Sequence, residues 1–225
     1  MSSTATFLAF LVLSLSASAA NLRIIPWDEE VAERKLSIAY GKKVEETGYL
    51  HPDARSQAIK IPAEAPNLRL ETPDRLDDEG KPLAIKLNIP SGVRTPLLLI
   101  LPDKKAPTGL RTMIIVDDLS SFKWGTFRMF NVTKKPLVFR WDKKAKTIEP
   151  DWKSTSIEPG GNSRNMEIFL YLKGNLEKPF YTAVWEHRSD MRQLVFMVPS
   201  SNTALGPVEF KFIPESRIDE PDSTP

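Results

Sequence analysis

Two histidines, His51 and His187, are the only imidazoles in a chain of 225 residues that has no cysteine. Each sits among acids, in His51-Pro52-Asp53 and in Glu186-His187-Arg188-Ser189-Asp190. A site drawing on both, with Asp53 and Glu186, is the one histidine-based candidate for metal binding or acid–base work. The spacing argues against it, because neither H-x-H nor H-E-x-x-H is present. Ser120 and Ser121 follow Asp117-Asp118, but no G-x-S-x-G turn surrounds them, so the nucleophile of a serine hydrolase lacks its setting. Asp117 and Asp118 would serve as paired carboxylates for glycoside hydrolysis or calcium only if they converged. Neighbours on a strand point to opposite faces, and the pair reads as a strand-end turn. Gly160-Gly161-Asn162-Ser163 is too short for a phosphate loop and lacks the following G-K-[ST]. The sequence therefore leads to no catalytic residue, no cofactor and no metal. A hydrolase using His187 with nearby acids stands as the catalytic alternative.

Surface groups remain. Of the five tryptophans, Trp124 and Trp152 fall outside the firm apolar alternation. Exposed rings of this kind serve as platforms in carbohydrate-binding modules. Lys134, Lys135, Lys143, Lys144 and Lys146 fall in predicted loops, where lysine also keeps strand edges from pairing. These seven residues form the candidate binding surface. Asn131-Val132-Thr133 matches the N-glycosylation acceptor pattern. A formal net charge of +2, from 31 basic and 29 acidic residues, gives no electrostatic case for nucleic acid or an anionic membrane.

The elements that must position these groups are strands. Phe122 to Trp141 is the densest aromatic stretch. Phe127 and Met129 share one face, and Leu137, Phe139 and Trp141 share another, so the spacing predicts two half-buried strands. Thr133-Lys134-Lys135-Pro136 reads as the loop of a β-hairpin between them. Asn131 points inward, and its amide is expected to bond backbone near that loop. Pro96 to Pro102 is apolar without interruption, which predicts a central strand buried on both faces. Alternating patterns predict further strands over 22–25, 36–40, 56–61, 68–71, 83–89, 112–116, 166–172, 180–187, 194–198 and 208–212. A brief helix follows Asp28, ending before Leu36. No internal repeat is evident. The expected fold is all-β, an antiparallel two-sheet β-sandwich with one short N-terminal helix.

Residues 2–20 carry no charge, and a short apolar run is followed by small residues. Ala17-x-Ala19 and Ser18-x-Ala20 both fit signal-peptidase cleavage, so 1–20 reads as a signal peptide and no transmembrane span is expected after cleavage. Residues 21–213 read as a single sandwich domain, and 214–225 as a disordered tail. Leu97-Leu98-Leu99-Ile100-Leu101-Pro102, the set Gly125-x-x-Arg128-x-x-Asn131 and the later Pro159-Gly160 turn resemble small exported bacterial proteins of unknown function. That resemblance implies a β-sandwich and carries no activity. The expectation is an exported, periplasmic or extracellular, non-catalytic binding or assembly protein. Its partner would be another envelope protein or a polysaccharide, with a carbohydrate-binding module as the first alternative.

Overall fold

The computed structural model describes residues 19–62, 65–202 and 206–217. Most of the expected leader, and the end of the expected tail, lie outside the described residues. The first half holds β1 (Ala20–Pro26), α1 (Glu29–Ala32), β2 (Ser37–Tyr40), β3 (Lys43–Glu46), β4 (Ile59–Ile61), β5 (Arg69–Leu76), β6 (Pro82–Lys86), β7 (Pro96–Pro102) and β8 (Leu110–Val116). The second holds β9 (Phe127–Asn131), β10 (Leu137–Trp141), β11 (Lys144–Ile148), β12 (Thr155–Ile157), β13 (Arg164–Leu172), β14 (Tyr181–His187), β15 (Met191–Pro199) and β16 (Val208–Ser216). The short helix begins as expected, with the Asp28 carboxylate accepting from the Val31 N–H at 2.9 Å. Among the described residues no helix is long and apolar enough to cross a membrane.

The chain is all-β, but the strands form four sheets where two were expected. Their orders are β4-β1-β7-β8, β3-β2-β5-β6, β12-β9-β15-β16 and β11-β10-β13-β14. The burial pattern says which sheets face each other. Leu22, Ile24, Leu98 and Ile100 join Ile38, Tyr40 and Leu70 in one core, between the first two sheets. Phe127, Met129, Val195 and Met197 join Phe139, Ile168, Leu170 and Trp185 in a second, between the last two. A third core lies between the halves, where Ile25, Leu97, Leu99 and Ile115 meet Phe130, Leu194, Phe196 and Ile213. Strand β7 thus supplies both of its faces to packing, as its unbroken apolar sequence requires.

The two halves have one topology. Adding eight to each strand number of the first two sheets gives the other two, including the parallel contacts β1–β7 and β9–β15. Register refines the equivalence. Arg23 stands beside Leu97 as Arg128 stands beside Leu194. Leu97 lies opposite Ile115 as Leu194 lies opposite Ile213. The fold is a structural repeat that the sequence reading did not detect. Local traces are the spacing Pro102-x6-Gly109 and Pro199-x6-Gly206 and the equivalent turns Tyr40-Gly41-Lys42-Lys43 and Trp141-Asp142-Lys143-Lys144.

Three further expectations are corrected. Strands β9 and β10 are not a hairpin: β9 pairs with β12 and β15, while β10 pairs with β11 and β13. Alternation identified the inward residues of both strands, but they reach the second core from opposite sheets. No strand is expected over β3, and the lysines of β11 are expected in loops, because the side chains of both strands are almost all solvent-facing. The tail does not begin at 214, since β16 continues to Ser216 and buries Glu215.

Candidate functional site

The junction between the halves ends in a buried charge network. Arg23 lies on the face of β1 that carries Ile25, and Arg192, second in β15, on the face that carries Leu194. Two residues beyond Ile115 and Ile213, the equivalent acids Asp117 and Glu215 point into the same junction. Arg55, from the β3–β4 connection, forks onto Asp117 at 2.8 and 3.1 Å and also lies 3.4 Å from Glu215. Arg192 donates to Glu215 at 2.6 Å and to the carbonyls of Asp117 and Phe122 at 2.7 and 3.0 Å. Arg23 donates to Glu215. Arg128 bonds the carbonyls of Val116 and Ser121 and lies 4.4 Å from the centre of the Phe122 ring, leaving its Nε buried without a partner. Arg192 covers the same ring at 5.1 Å. Burial alone would push the Glu215 carboxyl up, but Arg55, Arg192 and Arg23 together hold it below the usual range. Charges this deep persist only when paired, and here each carboxylate is held from more than one side.

In front of the network is an open cleft of about 590 Å³, lined by both halves. Arg23, Arg94, Thr95, Asp118 and Ser120 come from the first half and the segment after it, and Arg192 from the second. The Asp118 carboxylate is engaged, accepting from the Thr95 N–H and hydroxyl, both at 2.6 Å, and from the Arg94 N–H at 3.1 Å. Burial opposes its ionisation, yet these bonds keep its carboxyl below the usual range. The Arg94 guanidinium is exposed and donates no hydrogen bond to the described residues. That of Arg23, among the described residues, donates only to Glu215. The cleft therefore presents spare N–H donors on cations, with its carboxylates already satisfied.

The residues singled out from sequence are placed differently. Trp124 and Trp152 are both half-buried. Trp124 packs under Arg192 and Arg217, with guanidinium carbons 5.1 and 5.7 Å from the ring centre. Trp152 packs against Trp27, Phe196 and Arg111. Both rings are built into the junction between the halves. Lys134 and Lys135 are exposed on the β9–β10 connection, and Lys143 on the β10–β11 turn. Lys144 and Lys146 belong to the edge strand β11 instead of a loop. Lys146 shares the inward register of Phe139, and its ammonium caps the Ser156 carbonyl of the facing sheet at 2.8 Å. That inward charge guards the open edge of the second half.

His51 and His187 lie in different halves and are not brought together. His187 is buried, its ring nitrogens 3.3 and 3.1 Å from the carbonyls of Asn162 and Gly125. The space beside it is lined by Gly125, Thr126, Phe127, Arg188, Met191 and Gln193, with no carboxylate. Gly125 needs its left-handed backbone, φ 76°, and a side chain there would press to 3.3 Å from the His187 ring. Asp117 and Asp118 follow the end of β8 and both border the cleft, but each is engaged by protein donors, Asp117 by Arg55 and Asp118 by Thr95, so they offer no free pair of carboxylates. Asn131 is fully buried, so its glycosylation pattern is closed to modification in the folded chain. Its amide donates to the carbonyls of Lys135 and Ile148, and its oxygen accepts from Thr133, as expected. Gly125, Arg128 and Asn131, the spaced set noted in the sequence, thus act structurally. Among the described residues no three His, Asp or Glu side chains are grouped to hold a metal ion.

Arg23 and Arg192 escaped sequence reasoning because their partners are remote, Arg23 and Glu215 being 192 positions apart. Their signal was a charge at an inward position of an otherwise apolar strand, and Arg94 on its loop gave none. Set against protein-family models and curated proteins, the chain matches none.

Proposed function

We propose that the chain is an exported, non-catalytic binding protein of the cell envelope or extracellular space, and that its ligand enters the cleft at the junction of the halves. Each half would act as a two-sheet sandwich, the pair serving as one rigid support. One observation carries the reading: a cleft of about 590 Å³ lined from both halves, within the range of small-ligand sites, on a floor fixed by buried ion pairs. Preorganisation of this kind favours binding because little order must be gained when a ligand arrives.

The absence of cysteine makes the test clean. A fluorophore attached through Ser120→Cys sits at the cleft rim, and one attached through Ser201→Cys serves as a control. Fractionated envelope and medium extracts should contain a component that changes the emission at 120 saturably and leaves the label at 201 unaffected. If no fraction alters the rim label, or both labels respond alike, the cleft is not a binding site.

A further inference from the structure

We infer that the cleft is selective for a small ligand carrying an oxyanion, either a carboxylate or a phosphoryl or sulfuryl group; this rests on the binding reading above and narrows it. Three guanidinium groups line the cleft, those of Arg23, Arg94 and Arg192, against the carboxylates of Asp117 and Asp118. Both carboxylates are already spent on protein donors: Asp117 on Arg55 and Arg192, Asp118 on Thr95 and the Arg94 backbone. Behind the wall Glu215 is shared by Arg23, Arg55 and Arg192. The network thus spends its anions faster than its cations, and the surplus faces the opening.

The donor geometry agrees with the charge. Arg23 is tethered by Glu215 through one nitrogen, with a quarter of its side chain exposed, so its fork is held in place while its other N–H groups meet no acceptor among the described residues. Arg94 lies on an exposed loop lining the same cleft, its backbone N–H bonded to Asp118, while its guanidinium donates to none of the described residues. Two guanidinium groups with unused N–H donors on one cleft suit an oxyanion, whose oxygens the planar forks favour. The exposed Ser120 hydroxyl adds a further polar contact at the rim, that of Thr95 being spent on Asp118. A neutral ligand would leave the unused N–H donors of Arg94 and Arg23 unmatched in charge, whereas an oxyanion can accept from both. The near-balanced net charge of the whole chain conceals this local excess.

The test uses the full exported chain and three defined probes: inorganic phosphate, inorganic sulfate and succinate. Binding is followed by titration calorimetry and by the rim label at Ser120→Cys. At least one probe should bind saturably, with affinity falling as chloride is raised. Arg94→Ala should weaken it by roughly tenfold or more, the scale of a lost charge-assisted contact. Because Arg94 donates to no described residue, this variant should fold normally. Arg23→Lys, which keeps the charge but loses the fork, should weaken binding without abolishing it. A preference for phosphate or sulfate assigns the natural ligand to phosphorylated or sulfated compounds, and a preference for succinate to carboxylates; either supports the inference. No saturable binding of any probe, or binding that Arg94→Ala leaves unchanged, overturns it. A rim label that responds to an extract but to none of the oxyanions overturns this inference alone and leaves the binding reading in place.

Discussion

Glu215 holds three guanidinium groups from both halves, and it is 9% exposed. Truncating it strands buried cations, so Glu215→Ala should cost about 3–5 kcal/mol of stability, measured by chemical denaturation. Its charge also carries a pH dependence with a fixed sign. The folded carboxyl lies below its unfolded value of about 4.3. Its stabilisation is therefore present above that pH and is lost as pH falls through the folded value. Glu215→Gln should start less stable at neutral pH and lose less on acidification; an unchanged acid profile would show that Glu215 is not held ionised. None of this was legible in the sequence. An arginine inside a strand pattern looks like any solvated charge until its partner is known, and these partners come from remote segments. Asn131 was legible because its partners are local, all but one lying within four residues.

At the scale of the element, alternation reports which side chains are inward and nothing about which strand lies alongside. That is why β7 was placed correctly as a central strand, while β9 and β10 were joined as a hairpin and prove to lie in different sheets. Their shared destination was nevertheless right. Phe139 is fully buried in the second core, against Trp141 and Trp185. Phe139→Ala should cost about 3–5 kcal/mol, and a loss below about 1 kcal/mol in a denaturant titration would place the ring elsewhere. Strand β1 bears on where the proposed leader would be cut. Ala20 is buried and paired with Ile61, so cleavage after Ala20 would remove a strand residue that cleavage after Ala19 keeps. Intact mass of exported material should therefore show Ala20 as the first residue. A mass beginning at Asn21, or retaining Met1, would contradict this. Edges β3 and β11 were missed for one reason: an edge strand with polar side chains on both faces has no apolar period to read.

For the whole molecule, the repeat changes what the halves mean. Each half has its own core, yet neither buries the outer faces of β1, β7, β9 and β15 without the other. Connecting loops reinforce the contact in both directions. Asp53 and Arg55 of the first half reach Lys211, Pro214 and Glu215 on β16, and Trp152 of the second covers Arg111 on β8. The cleft exists only where these surfaces meet, so its function as a site depends on the halves behaving as one body. Sequence could not show this, because the repeat is kept in strand order and register while its side chains have diverged, Arg55 having no arginine at the matching place before β12. Differential scanning calorimetry tests the central claim most directly. The expected result is a single transition with calorimetric and van't Hoff enthalpies in a ratio of about one. Two transitions, or a ratio near two, would mean that the halves unfold independently and that the junction is too weak to hold a preformed site.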